Sequence, residues 1–224
     1  MKIAIIGGTG KEGFGLALRW AAAREQVLIG SRDEERAAAA AARVRRMAGA
    51  EVNIEGKSNE DATAEADLVI LSVPFAAQIP TLKSIRDRFK PGAFLVDVTV
   101  PLAAAVSDRA TRLLGVWHGS AAEQAAAFAP EGIEVLSAFH NLSSESLHDL
   151  SSEVDCDVIV CGASKKGKEI LKGLIEKIPG ARYIDGGPLE NSRIVESITA
   201  LLISLNIRYK AKSVGIRITG LPGS

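Results

Sequence analysis

The chain has 224 residues, and its 27 lysines and arginines balance its 27 aspartates and glutamates, so the formal net charge is zero. Proteins that bind nucleic acid or dock on an acidic membrane leaflet need a basic surface, and this balance argues against both partners. Hydrophobic residues make up 47% of the chain, which excludes a disordered protein. The length suits one large domain, or one domain with a small second one.

The predicted elements alternate short β-branched runs with helical stretches, a rhythm typical of a parallel sheet with right-handed crossovers. Strands are predicted at residues 2–6, 26–30, 51–55, 67–73, 93–98, 134–139, 157–161 and 181–185. Helices are predicted at residues 10–23, 33–48, 120–129, 165–178 and within 188–209, with a partly helical segment at 75–89 that Pro80 kinks or breaks. The serine-rich segment at residues 143–153 predicts a surface crossing and a domain boundary.

A glycine-rich turn follows the first predicted strand directly. The sequence over residues 8–13 reads GTGKEG, a GxGxxG motif that opens the first helix. Gly8 would permit a tight turn, Gly10 would let a pyrophosphate approach the backbone, and Gly13 would let the helix pack close to the strand. The helix N-terminus would add free N–H groups for the phosphates. A glycine-rich turn that binds nothing is the alternative.

The end of the second predicted strand distinguishes NADP from NAD. An NAD enzyme places Asp or Glu there to hold the ribose 2′-hydroxyl, whereas this chain has Ser31 and Arg32. Ser31 can donate a hydrogen bond to a 2′-phosphate, and Arg32 can pair with it or stack on adenine. Arg36 either reaches the same phosphate or is a solvated helix charge, and Asp33 is expected at the helix start. NADP is therefore the predicted cofactor.

These features together predict an α/β fold, with a Rossmann-type doubly wound parallel sheet and a small C-terminal α/β cap. Residues 1–145 would form the NADP-binding Rossmann domain, and residues 146–224 the cap or substrate domain. No apolar run approaches the roughly 20 residues that a membrane helix needs. Cys156 and Cys161 are five residues apart in a predicted strand, hence on opposite faces. With no secretory signal in the sequence, we expect a reduced, cytoplasmic protein.

Further candidate residues follow other predicted strands, because ligands of open α/β sheets lie beyond the carboxyl ends of the strands. Val73 and Pro74 follow the fourth strand, Val100 follows the fifth, and His140 and Asn141 follow the sixth. Each could equally be an ordinary strand exit, and the histidine could be a capped loop residue. No histidine or cysteine pair has metal-ligand spacing, so no metal site is predicted.

Several motifs together resemble the family of reductases that pass hydride between NADP and the 8-hydroxy-5-deazaflavin coenzyme F420. They are GGTG at residues 7–10, GSR at 30–32, SAFH at 137–140, VCG at 160–162 and, most specific, GPL-x-NSR-x-VES at 187–197. The resemblance covers nearly the whole chain.

The resemblance implies a set of cofactor contacts. The pyrophosphate would be faced by Thr9, Gly10, Lys11 and Glu12, and the 2′-phosphate would be held by Ser31, Arg32 and Arg36. The adenosine side would be lined by Val73 and Ala77, with Val100 further along. The nicotinamide and the deazaflavin would lie by His140 and Asn141, and Val214 would touch the deazaflavin.

The predicted activity is hydride transfer between NADP(H) and coenzyme F420, with small-molecule cofactors as the substrates. The cofactors carry the chemistry, so no strong general base is needed; His140 would orient a ring or assist protonation of the deazaflavin. Three alternatives remain open: an NADPH-dependent reductase of another flavin or a ferric complex, a reductase of a small imino or hydroxy acid, and a non-catalytic NADP-sensing module.

The last predicted helix carries an apolar stripe. Its members are Ile194, Ile198, Leu201, Leu202 and Leu205. A stripe at this spacing usually packs on the core. Part of it could form the interface of a homodimer, which is the predicted oligomeric state.

Overall fold

The computed structural model describes residues 1–106 and 108–221, and an eight-stranded sheet runs through it in the order β3-β2-β1-β4-β5-β6-β7-β8. The strands are β1 (Lys2–Ile6), β2 (Gln26–Ser31), β3 (Ile54–Ser58), β4 (Leu68–Leu71), β5 (Phe94–Asp97), β6 (Glu134–Ser137), β7 (Cys156–Gly162) and β8 (Ala181–Asp185). The first six are mutually parallel, β7 is antiparallel to β6, and β8 is parallel to β7. The predicted Rossmann-type sheet is confirmed.

Helices cover both faces of this sheet. They are α1 (Lys11–Ala22), α2 (Glu34–Ala48), α3 (Asn59–Glu65), α4 (Gln78–Ile85), α5 (Ala121–Phe128), α6 (Ser144–His148), α7 (Lys165–Ile175) and α8 (Ser192–Tyr209). The alternation in β1 shows the two layers: Ile3 and Ile5 belong to one buried cluster, and Ala4 and Ile6 to another. Because both faces are covered, the central strands are apolar throughout.

Two predicted elements differ from the structure. The predicted kink or break at Pro80 is wrong, because this residue lies in the first turn of α4, where its missing N–H has no intrahelical acceptor to lose. The third strand begins at Ile54 and runs to Ser58, so both of its ends lie three residues later in the chain than predicted. Ser58 then caps α3, which the sequence pattern did not predict, by accepting a hydrogen bond from the N–H of Asp61 (3.0 Å).

The buried guanidinium of Arg19, on α1, connects this helix to the serine-rich segment through four hydrogen bonds. Arg19, only 3% exposed, donates to the carbonyls of Ser146 (2.7 Å), Leu147 (3.0 Å), Asp149 (2.5 Å) and Ser152 (2.9 Å). Beyond this segment β7 and β8 continue the same sheet. The domain division at residue 145 stays a prediction.

The strand β7 carries both cysteines in the free form. Cys156 packs in the larger buried cluster, whereas Cys161 packs with Ile159 and Val195 in another. Their predicted placement on opposite faces is confirmed. None of the helices in the described part of the chain has the length and apolarity needed to cross a bilayer.

The topology creates a crevice where the crossovers diverge. The strands β1 and β4 are neighbours, but the chain leaves β1 toward β2 on one side and leaves β4 toward β5 on the other. In sheets of this order, ligands bind at the carboxyl ends of the strands beside this switch point. The residues that follow β1, β2 and β4 therefore meet around one crevice.

Candidate functional site

The turn between β1 and α1 leaves no room for a side chain at its first two glycines. Gly7 has a φ of +77°, and a Cβ there would lie 2.5 Å from the carbonyl oxygen of Ser72. The tight-turn role predicted for Gly8 thus belongs to its neighbour. A Cβ on Gly8 itself would lie 2.8 Å from the Ile5 carbonyl oxygen.

The next two glycines of the motif have different surroundings. Gly10 is the N-cap of α1, and a Cβ there would meet only the Gly7 carbonyl oxygen, at 3.3 Å. A Cβ on Gly13 would lie 2.9 Å from the Cα of Gly8, so the predicted close packing of helix on turn is confirmed. The open side of Gly10 leaves the N–H groups of the first turn of α1 free for an anionic ligand.

A cavity of about 460 Å³ lies beside this turn. Eight of the predicted contact residues line it: Thr9, Gly10, Ser31, Arg32, Arg36, Val73, Pro74 and Ala77. The other lining residues are Gly7, Asp33, Asn59, Ser72 and Thr81. We call it the nucleotide cavity. Its glycine turn, small apolar wall and two guanidinium groups fit the parts of a phosphorylated dinucleotide.

The end of β2 supplies the polar groups of the nucleotide cavity. The Ser31 Oγ accepts a hydrogen bond from the N–H of Asp33 (3.2 Å), which leaves its own hydrogen free to donate. Asp33 is the N-cap of α2 and accepts from the N–H of Arg36 (3.1 Å), so its predicted place at the helix start is confirmed. Within the described residues neither Arg32 nor Arg36 forms an ion pair, and both charges are available to an anion.

A second cavity of about 260 Å³ contains three more of the predicted residues, His140, Asn141 and Val214. We call it the ring cavity. Glu12 lines this cavity and not the nucleotide cavity, although it belongs to the glycine-rich motif. The remaining walls come from residues 142–145, from α8 and from the C-terminal segment; the last two contribute Thr199, Leu202, Ile203, Asn206 and Lys212. Lys11 and Val100 line neither of these two cavities.

His140 is held in an unusual position. It is 4% exposed, and neither ring nitrogen has a hydrogen-bond partner in the part of the chain that the structure describes. Burial lowers its pKa to about 4, so the imidazole is neutral at physiological pH. The preceding residue, Phe139, has a φ of +68°, a conformation that non-glycine residues rarely adopt. Its ring packs edge-on against Trp20, with centroids 5.6 Å apart, and this contact stabilises the turn that places the histidine.

Two buried carboxyl groups lie next to this histidine, and the sequence did not single them out as site residues. Asp97, at the end of β5, accepts hydrogen bonds from Gln78 (3.0 Å) and Thr99 (3.0 and 3.1 Å). Glu196, on α8, accepts from the N–H groups of Ala121 (2.9 Å) and Ala122 (3.1 Å) at the start of α5.

These two carboxyls and the imidazole form one buried group. One oxygen of Asp97, one of Glu196 and one ring nitrogen of His140 all lie within 4.8 Å of one another. Burial raises the pKa of Asp97 to about 7 and that of Glu196 to about 8. Their sequence signals were an acid at the end of an apolar strand for Asp97 and, for Glu196, an acid within an apolar helix that also belongs to the motif at residues 187–197.

The comparisons with known proteins agree with this geometry. The sequence profile of the family described as coenzyme F420-dependent NADP oxidoreductase matches residues 2–101. An F420-dependent NADP reductase of Methanothermobacter thermautotrophicus is 50% identical over 224 residues, which cover 99% of this chain and 96% of the relative. The reductase of Methanocaldococcus jannaschii is 47% identical, with 99% of each chain covered.

The chain belongs to the F420-dependent NADP reductase family. The resemblance seen in its motifs is thereby confirmed. A crystal structure of a candidate F420-dependent NADP-reductase from Arthrobacter has a TM-score of 0.80, covers 98% of this chain and 100% of that one, and is 23% identical. The Mycobacterium tuberculosis 3-hydroxyisobutyrate dehydrogenase has a TM-score of 0.61 at 16% identity, and the match covers 93% of this chain and 62% of that one. At these identities both comparisons support the fold alone.

Proposed function

We propose that this reductase transfers a hydride between NADP(H) and the deazaflavin coenzyme F420. The observation that carries the proposal is the nucleotide cavity, in which Ser31, Arg32 and Arg36 share one space with the glycine turn. A 2′-phosphate is the group that this set of donors suits best, since guanidinium and phosphate form strong charge-assisted hydrogen bonds. The deazaflavin partner is supported by the full-length identity to reductases named for it.

Each part of NADP would have its own contacts in the nucleotide cavity. The pyrophosphate would lie against Thr9 and Gly10 at the start of α1, and the exposed charge of Lys11 would stand beside it. Gly8 and Gly13 would act through the shape of the turn. Val73, Pro74 and Ala77 would pack against the adenosine and its ribose, with Val100 further along the same edge of the sheet.

The ring cavity would hold the second substrate. Asn141 donates to the carbonyl of Asp157 (2.6 Å) and to the Cys156 sulfur (3.1 Å), and these contacts fix its side chain. Bound F420 would supply the carbon that exchanges hydride with the nicotinamide. The residues of the chain would then orient the two rings and exclude water, and Glu12, His140 and Val214 would contribute the polar and apolar parts of that wall.

We infer that residues 1–145 bind the nucleotide and that residues 146–224 complete the ring cavity as a cap. The lining of the ring cavity supports this division, since Thr199 and Val214 belong to the proposed cap. A cytoplasmic location is also part of the proposal. It is supported by two free, buried cysteines, which a reducing compartment would preserve.

A homodimer is the oligomeric state that we propose. The apolar stripe of α8 is divided between two faces: Leu202 is buried at 5% exposure, whereas Ile194 (59%) and Leu201 (56%) face outward, as does Ile207 (69%). Ile194 and Leu201 are two turns apart on one face of the helix, and monomeric proteins seldom leave several large aliphatic side chains of one helix uncovered. A second copy of the chain would cover them through a symmetric contact.

One assay tests the proposed activity. The protein is mixed with NADPH and oxidised F420, and then with FMN and with a ferric chelate, while the nicotinamide and deazaflavin absorbance bands are followed. We expect rapid reduction of F420 and slow or no reduction of the other acceptors. Preferential reduction of FMN or the chelate would replace F420 by that acceptor, and binding of NADPH without any turnover would favour a sensing module.

A further inference from the structure

The carboxyls of Asp97 and Glu196 cannot both be ionised at little cost. They lie within 4.8 Å of each other and are 0% and 2% exposed. Among residues 1–106 and 108–221, no lysine or arginine forms an ion pair or hydrogen bond with either carboxyl. The hydrogen bonds they accept come from Gln78, Thr99 and the two backbone N–H groups of α5. Two like charges in such a place favour retention of one proton, which belongs to the pair and not to either residue.

His140 stands between this pair and the ring cavity. One of its ring nitrogens approaches both carboxyls, and the residue also lines the ring cavity. Neither ring nitrogen lies within hydrogen-bond distance of a donor or acceptor among the described residues. A gap of this size closes with one bridging water or a small ring rotation. The neutral imidazole carries one N–H and one free lone pair, so it can accept a proton at one nitrogen and give up another.

We propose that Asp97 and Glu196 store one proton and that His140 relays it into the ring cavity when the substrate bound there is reduced. This inference rests on the proposed function. Reduction of F420 by NADPH takes up one proton besides the hydride. The O–H bond of the carboxyl pair breaks as a new N–H bond forms on one nitrogen of His140. The N–H bond on its other nitrogen breaks, and that proton goes to a ring nitrogen of the substrate.

The direction of the reaction sets the pH dependence of this relay. Burial raises the pKa of both carboxyls, so the pair loses its proton as the pH rises above neutrality. Reduction of F420 should therefore slow at alkaline pH. Oxidation of reduced F420 by NADP should speed up, because an empty pair can accept the proton. The other charged or titratable groups nearby are Glu123, beside Glu196, and Glu12, Glu145 and Lys212 around the ring cavity.

An infrared experiment tests the stored proton without turnover. Glu12→Gln is the background for every measurement, because burial also raises the pKa of Glu12 to about 8 and its carboxyl would titrate in the same range. In that background the protein should show a carboxylic-acid C=O band at neutral pH that disappears on alkaline titration. In Asp97→Asn and in Glu196→Gln the pair no longer exists, and this titration should be lost or displaced. Glu123→Gln is the matched control, because Glu123 lies beside Glu196 but bonds to Ser120 instead (2.8 Å). A carboxylic-acid band that the two variants leave unchanged, or one divalent cation bound per chain in the purified protein, would overturn the proposal.

A single-turnover experiment tests the relay. Asp97→Asn and Glu196→Gln should reduce F420 between tenfold and a hundredfold more slowly at pH 7, a loss typical of removing a positioned acid. Their rates should also lose the wild-type decline above neutrality, while the Kd for NADPH and the melting temperature stay near the wild-type values. Because one of the two substitutions could disturb the fold, either variant that keeps its NADPH affinity suffices. Equal rates and pH profiles for such a variant and the wild type would refute the relay.

The two levels of the proposal fail in different ways. If the wild type does not reduce F420 at all, the proposed function is wrong, and the infrared titration alone decides whether the carboxyls share a proton. If the wild type is active and the variants behave like Glu123→Gln, the relay is wrong and the proposed function stands.

Discussion

Arg32 illustrates how a single exposed side chain can set the choice of cofactor. It follows β2 directly and lines the nucleotide cavity together with Arg36 and the buried Ser31. A guanidinium there would form a charge-assisted hydrogen bond with a 2′-phosphate, which NAD lacks. We therefore propose that this charge determines the specificity for NADP and takes no part in hydride transfer.

Substitution of this residue should change affinity and leave the chemistry intact. In Arg32→Ala the Kd for NADPH should rise by roughly ten- to a hundredfold, since a hydrogen bond to a charged group contributes about 1.5–3 kcal/mol. The Kd for NADH should change by less than about threefold. Fluorescence titration with both nucleotides measures this, and Arg86→Ala, an exposed arginine outside the cavity, is the control. An equal loss for both nucleotides would show that Arg32 does not face the 2′-phosphate.

At the scale of single elements, α6 depends on a residue of α1. Arg19 saturates four carbonyl groups in and after α6, and this helix has only five residues, too few to be stable alone. Arg19→Ala should lower the free energy of unfolding by about 3 kcal/mol, because buried carbonyls lose a charged donor. Urea denaturation measures the change. Arg46→Ala, on the exposed side of α2, should change it by less than about 0.5 kcal/mol.

The outward face of α8 makes an equally direct prediction. In Leu201→Glu a charged side chain replaces an exposed apolar one on α8. In a dimer this charge would be buried without a partner. Light scattering after size exclusion should show a dimer for the wild type and a monomer for this variant. The control is Ala126→Glu, which adds the same charge to an exposed position of α5. A wild type that is monomeric at micromolar concentration would contradict the proposed dimer.

The elements and contacts that could be predicted from the sequence are those that a local sequence pattern determines. The motif at residues 8–13 and the pair Ser31 and Arg32 are contiguous in the chain, and each carries its own chemical signature. Asp97 has no such signature, and the motif that contains Glu196 gives no sign of its partner, because the two acids come from β5 and α8 and meet only in the folded chain. The third strand is shifted by three residues from its predicted range. Its position depends on close packing against α2 at Gly56, where a Cβ would lie 2.2 Å from the backbone of Ala37.

For the whole molecule, three acids with raised pKa values dominate the pH dependence of stability above pH 5: Asp97 and Glu196 are buried, and Glu12 is half-buried. Burial raises the pKa of Glu12 to about 8, that of Asp97 to about 7 and that of Glu196 to about 8, from ordinary values of 4.5, 3.8 and 4.5. These three acids thus bind more protons in the folded state than in the unfolded state between these limits. The lowered pKa of His140, about 4 instead of 6.5, offsets only one of these protons and only below pH 6.5. By linkage, the free energy of unfolding must fall as the pH rises through this window.

The urea midpoint should accordingly be highest near pH 5 and should decrease steadily toward pH 9. Glu12→Gln should reduce the slope of that decrease, because it removes one acid whose ionisation is coupled to unfolding. Glu145→Gln, an exposed acid of the same cavity, should leave the slope unchanged. Urea titrations at pH 5, 7 and 9 measure it, and a midpoint that is constant over this range would contradict the assignment of raised pKa values.

The two cavities draw on almost separate stretches of the chain. The nucleotide cavity is lined only by residues between 7 and 81, and the ring cavity by residues between 140 and 214 together with Glu12. If the ring cavity holds the acceptor as proposed, substitutions in the later stretch would alter the acceptor specificity and leave the nucleotide cavity intact. Glu12 is the exception, since it belongs to the glycine-rich turn by position and lines the ring cavity by contact. A substitution of this one residue would change the wall of the ring cavity while the glycines on either side of it keep the shape of the turn.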